Sequence, residues 1–145
     1  MRLDKKGVVG FPMRLAVTSL ILAIFIPLAI GMVDDLEKDA SISDTRGEAE
    51  RIADTVKRIY YSGTGSTGTV DVSLVSRSGL VLGGDGSDSY CIAISFDGRT
   101  AEKIYLQRPS VKFIGDPLQI TGNRTLSIEC IDDGDTYGVR VNIVD

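Results

Sequence analysis

Chemistry needs particular side chains, and this chain offers few of them. Histidine is absent from all 145 residues, which removes the commonest general base, the usual serine and cysteine triads, and the usual zinc and copper ligands. A hydrolytic site would have to be built from Asp, Glu and Ser, and no spacing of those residues stands out as one. The expectation is a non-enzymatic protein with no cofactor and no metal centre. Cys91 and Cys130 are a candidate disulfide, which requires alpha carbons within about 7 Å. Cys130 is in phase with Leu126 and Ile128 on an apolar strand face, whereas Cys91 is out of phase with Ile92, Ile94 and Phe96. The sequence leaves the bond open.

Four further stretches carry residues at suggestive spacings. Gly83 to Ser89 and Asp132 to Asp135 are acidic, glycine-rich loops that match no twelve-residue calcium loop, so solvated turns compete with a calcium site. Gly63, Gly65 and Gly68 are spaced like the glycines of a phosphate cradle, but that motif wants a strand before it and a helix after it. Here a helical pattern precedes and the alternating Thr69 to Val75 follows. Asn123-Arg124-Thr125 is a glycosylation sequon between two predicted strands. The net charge of −4 argues against a nucleic-acid partner, because phosphate binding needs a basic surface.

The elements that would position these groups begin with a membrane-length helix. Arg2, Lys5, Lys6 and Arg14 precede Leu15 to Val33, which holds no charged residue. At about 1.5 Å per residue, roughly 20 residues cross a hydrocarbon core of about 30 Å. Cations cluster before the span and Asp34, Asp35, Glu37 and Asp39 follow it. That bias predicts a cytoplasmic N-terminus and everything after Val33 outside. Pro27 removes one backbone donor inside the span and leaves the carbonyl near Ala23 without its partner.

Beyond the span, Ala49, Ile52, Ala53, Val56, Ile59 and Tyr60 recur at three- and four-residue spacings among charged residues, which predicts an amphipathic helix. Gly47 and the weak formers Ser41 to Thr45 predict either one bent helix or two with a joint around 43–47, where Asp44 or Thr45 would cap the second. After the Gly-rich corner 63–68, short apolar runs separated by turn residues read as seven or eight strands with no further helix, and Asp97-Gly98 is a hairpin signal. The expected fold is α+β: a long N-terminal helix, membrane-spanning over 8–33 and amphipathic over 34–62, then a small antiparallel β-sandwich head over 69–145.

Lys5-Lys6-Gly7, followed at once by Val8-Val9-Gly10-Phe11 and the apolar run, resembles the class III signal of type IV pilins, archaeal ones in particular. An ordinary secretory signal has a shorter apolar core of about 7 to 15 residues ending at a small-residue site. Many pilins carry a glutamate at the fifth mature residue, often missing from archaeal members; here Pro12 stands there. The corner Tyr60-Tyr61-Ser62-Gly63-Thr64-Gly65-Ser66 is similar to a turn in archaeal proteins with pilin-like N-termini, so the likeness covers about residues 1–66. It implies a leader of residues 1–7 cut between Gly7 and Val8 by a prepilin-type peptidase. It also implies a surface filament in which Leu20, Ile21, Ile24, Phe25, Leu28 and Ile30 pack against copies of the chain or other pilin-like subunits. The alternative is a singly membrane-anchored extracellular β domain that binds a ligand, glycan or protein partner.

Overall fold

The computed structural model describes residues 2–145, with side chains from Pro12 onward. The candidate cleavage pair Gly7 and Val8 lies outside the residues described with their side chains. The chain divides into a first unit up to Lys38 and a second, Asp39–Asp145. One helix, α1 (Arg2–Ser62), precedes eight strands. The α+β expectation holds: a long N-terminal helix is followed by a small two-sheet β domain.

No joint interrupts α1 at 43–47, although Ser43, Thr45 and Gly47 are weak helix formers. Thr45 does not cap a second helix. It lies inside the first, 1% exposed, and its Oγ1 donates to the Ser41 carbonyl at 2.7 Å. Such back-bonding keeps a hydroxyl satisfied inside a helix, and the packing of this segment outweighs its propensity. At 3.6 residues per turn, Thr45, Ala49, Ile52, Ala53, Val56 and Ile59 fall on one arc, and all are buried.

The strands are β1 (Thr67–Ser73), β2 (Ser78–Leu82), β3 (Cys91–Phe96), β4 (Arg99–Tyr105), β5 (Lys112–Phe113), β6 (Leu118–Thr121), β7 (Asn123–Asp132) and β8 (Tyr137–Ile143). They form two four-stranded sheets, ordered β1-β7-β8-β5 and β4-β3-β2-β6. The predicted Asp97-Gly98 turn joins β3 to β4, with both residues at positive φ (53° and 76°), as a two-residue hairpin of this type requires. Two expectations need correction. A short 3₁₀ helix, Gly86–Tyr90, stands where only a loop was expected. The sheets are also not wholly antiparallel, because β5 pairs with β8 in parallel. Gly138 permits that pairing, since a Cβ there would collide with the Lys112 carbonyl oxygen.

Each sheet turns one face inward by the two-residue alternation of strand side chains. Val70 and Val72 of β1, Leu126, Ile128 and Cys130 of β7, and Val139 of β8 come from the first sheet; Leu80, Leu82, Ile92, Ile94 and Ile120 come from the second. The buried arc of α1 joins the same core. Polar contacts flank that arc on its two sides. Arg46 forms a two-pronged pair with Glu102 of β4 (2.5–3.2 Å), while the Glu48 carboxylate accepts the Ser73 amide of β1 at 3.4 Å and pairs with Arg51 at 3.0 Å. The second half of the helix is therefore the element that both sheets share. After Ser62, Gly63 and Gly65 take positive φ, and a backbone bond from Gly65 to Cys130 (2.9 Å) ties the corner to β7.

Ile52 is fully buried at the centre of the helical arc. Ile52→Ala should lower the unfolding free energy by about 2–5 kcal/mol, read as a lower denaturant midpoint for the full chain in detergent. The exposed Asp54→Ala should change it by no more than about 0.5 kcal/mol.

Candidate functional site

The most extensive unpaired apolar surface among the described residues belongs to the first unit. From Met13 to Val33 the helix presents Leu20, Ile21, Ile24, Phe25, Leu28 and Ile30, with exposures from 47% at Ile21 to 63% at Leu20. Residues 12–40 are exposed throughout. Helical periodicity places the first five of the six on one side, whereas Ile30 falls on the opposite side with Leu22 and Ile26. The helix is therefore apolar all round, which suits a membrane span or the interior of a bundle rather than a single two-helix seam. Pro27 lies inside it, so the Ala23 carbonyl lacks its intrahelical donor. The segment is long and apolar enough to cross a membrane.

In the β domain the two cysteines are free thiols. The candidate disulfide is not formed, for the reason strand phase indicates. Cys130 points inward with Leu126 and Ile128 and belongs to the shared core. Cys91 precedes the inward-facing Ile92 in β3 and sits on the opposite face of the other sheet, its Sγ 3.9 Å from Asp88 Oδ1. Lys103 donates to the same Asp88 oxygen at 3.1 Å. Burial, reinforced by the Asp88 charge, pushes the Cys91 thiol above its ordinary value, while the bond to Asp88 raises the Lys103 ammonium. A thiol held protonated and 1% exposed is a poor nucleophile. This Cys91-Asp88-Lys103 group escaped the sequence because only the pairing of β3 with β4 brings residue 103 beside residue 91.

The two acidic loops do meet. Asp85 and Gly86 from one, Asp133 from the other, and Lys112 to Gly115 line an open cleft of about 420 Å³. In the second loop the carboxylates serve the turn itself: Asp132 Oδ1 accepts the Gly134 amide at 2.9 Å and Asp133 Oδ1 accepts the Thr136 amide at 2.8 Å. Among the described residues no three His, Cys, Asp or Glu side chains are grouped to hold a metal ion. Turn chemistry accounts for these residues. At the helix end, Tyr60 and Tyr137 stack edge-on with centroids 4.9 Å apart, and the Tyr137 hydroxyl donates to the Tyr60 carbonyl at 3.1 Å. Asn123 of the sequon is the exposed first residue of β7.

No family model matches the chain, and no curated protein or solved structure matches it.

Two outcomes follow from this geometry. An arginine at the centre of a span costs about 2.5–3.5 kcal/mol of insertion free energy, so Ile24→Arg should move protein from the membrane fraction into the soluble or degraded fraction, measured by sedimentation of lysed cells. For Cys91 the folded state holds the proton more tightly than the unfolded state. Its contribution to stability is therefore whole below the ordinary thiol value of 9.0 and is lost as pH rises through the higher folded value. Cys91→Ser should flatten part of the alkaline fall in unfolding free energy, with no change below neutral pH in its slope.

Proposed function

We propose that this chain is a non-enzymatic structural protein of the cell surface, a type IV pilin-like subunit inserted by its N-terminal helix with the β domain outside. One observation carries the reading: a single helix holds an uncharged apolar stretch, Leu15 to Val33, and then supplies the core-forming face of a β domain. A helix apolar on every side must be covered by lipid or by other helices, and copies of this chain or other pilin-like subunits would cover it through Leu20, Ile21, Ile24, Phe25 and Leu28. Pro27 favours such packing over an isolated span, because neighbouring helices relieve the carbonyl it leaves bare. Lys5-Lys6-Gly7 ahead of the apolar run supports cleavage between Gly7 and Val8 on the cytoplasmic side, which keeps the helix on the mature chain.

The deciding measurement is the first residue of the protein purified from its native membrane, by intact mass and terminal peptide sequencing. A start at Val8, abolished by Gly7→Val, is the expected result. A start at Met1 would remove the subunit reading and leave a single-pass anchor for a binding domain.

A further inference from the structure

The outward face of the first sheet is made of polar side chains, and the sequon lies on it. Asn123 and Thr125, two residues apart in β7, alternate onto the same face and pair with Ser73 and Asp71 of β1. Ser73 Oγ donates to Asn123 Oδ1 at 2.9 Å and Thr125 Oγ1 donates to Asp71 Oδ1 at 2.8 Å. The bond from Ser73 holds the amide by its oxygen, and Asn123 Nδ2 makes no hydrogen bond among the described residues. Asn123 is exposed and opens on a shallow cleft of about 550 Å³ lined by Arg51, Asp71, Ser73, Arg124 and Thr125. That volume lies within the range of small-ligand sites, and its charged and hydroxyl walls suit sugar hydroxyls.

We infer that Asn123 carries an N-linked glycan whose first sugars lie in this cleft. The inference goes beyond the subunit reading and rests on it only in placing the β domain outside the membrane. In the modification, Nδ2 bonds to the anomeric carbon of a sugar carried on a lipid phosphate. The carbon–oxygen bond to that phosphate breaks, the phosphate leaves with the electron pair, and the amide nitrogen gives up one proton. Nothing in the core has to move, because the attachment atom faces away from Leu126 and Ile128. The position also has a consequence for the fold. Asn123 stands opposite the last residue of β1, which is an edge strand, and a glycan there would obstruct pairing of that open edge with another chain.

The test is peptide mass mapping of the protein from its native membrane. The peptide containing Asn123 should be heavier than its sequence by a whole number of sugar residues. The increment should vanish in Asn123→Gln and in Thr125→Val and persist in Thr125→Ser, which keeps the hydroxyl. An unmodified native peptide, or an increment that survives Thr125→Val, overturns the proposal. Protease added to intact cells reports separately on whether the β domain is outside, so failure of the glycan and failure of the topology are told apart.

Discussion

Burial of one helical face against two sheets at once is the constraint on which the β domain depends. Neither four-stranded sheet could bury its inward side chains alone, and at this size a core has little surplus. The arc from Thr45 to Ile59 adds apolar surface to that core through Ala49, Ile52, Ala53, Val56 and Ile59. Leu80, Leu82, Ile92 and Leu126 bring larger buried side chains to the same core. The flanking pairs, Arg46 with Glu102 and Glu48 with the Ser73 amide, are exposed. Solvent screening leaves such surface contacts little weight in stability. Their importance is positional, since they register the helix against a strand of each sheet.

The same helix meets a different requirement earlier in its length. From Leu15 to Val33 it carries no charge, apolar side chains point to every side, and all of these residues are exposed. Polar backbone is already paired inside an α-helix, so such a segment needs only an apolar surrounding. On the proposed reading, lipid and neighbouring subunits provide it in turn.

Polar groups in the β domain are spent mostly on local geometry. Asp132 and Asp133 tie off a turn, Asp97 and Gly98 close a hairpin, and Ser89 Oγ bonds the Gly86 carbonyl at 2.7 Å to hold the 3₁₀ segment. The polar outer ladder of β1 and β7 is different, because its groups face solvent and leave the Asn123 nitrogen available.

Several features were legible in the residues themselves. A charge-free run of membrane length, a three- and four-residue apolar repeat from Ala49 to Tyr60, the Asp97-Gly98 turn and the opposite phases of Cys91 and Cys130 all depend on local periodicity, which sequence records directly. The continuity of the helix through Ser43 to Gly47 was not legible, because local propensity opposes it and the burial of Thr45 is a tertiary fact. Nor was the parallel β5–β8 pair, which depends on a side chain missing at Gly138 and a carbonyl 26 positions earlier in the chain. The Cys91-Asp88-Lys103 group and the meeting of the two acidic loops were hidden for the same reason. Sequence by itself determined the strands, the amphipathic helix and the apolar run of membrane length, since those follow from spacing along the chain. Tertiary structure decided which distant residues become neighbours, since strand order and register are set by how all the apolar faces close over one core.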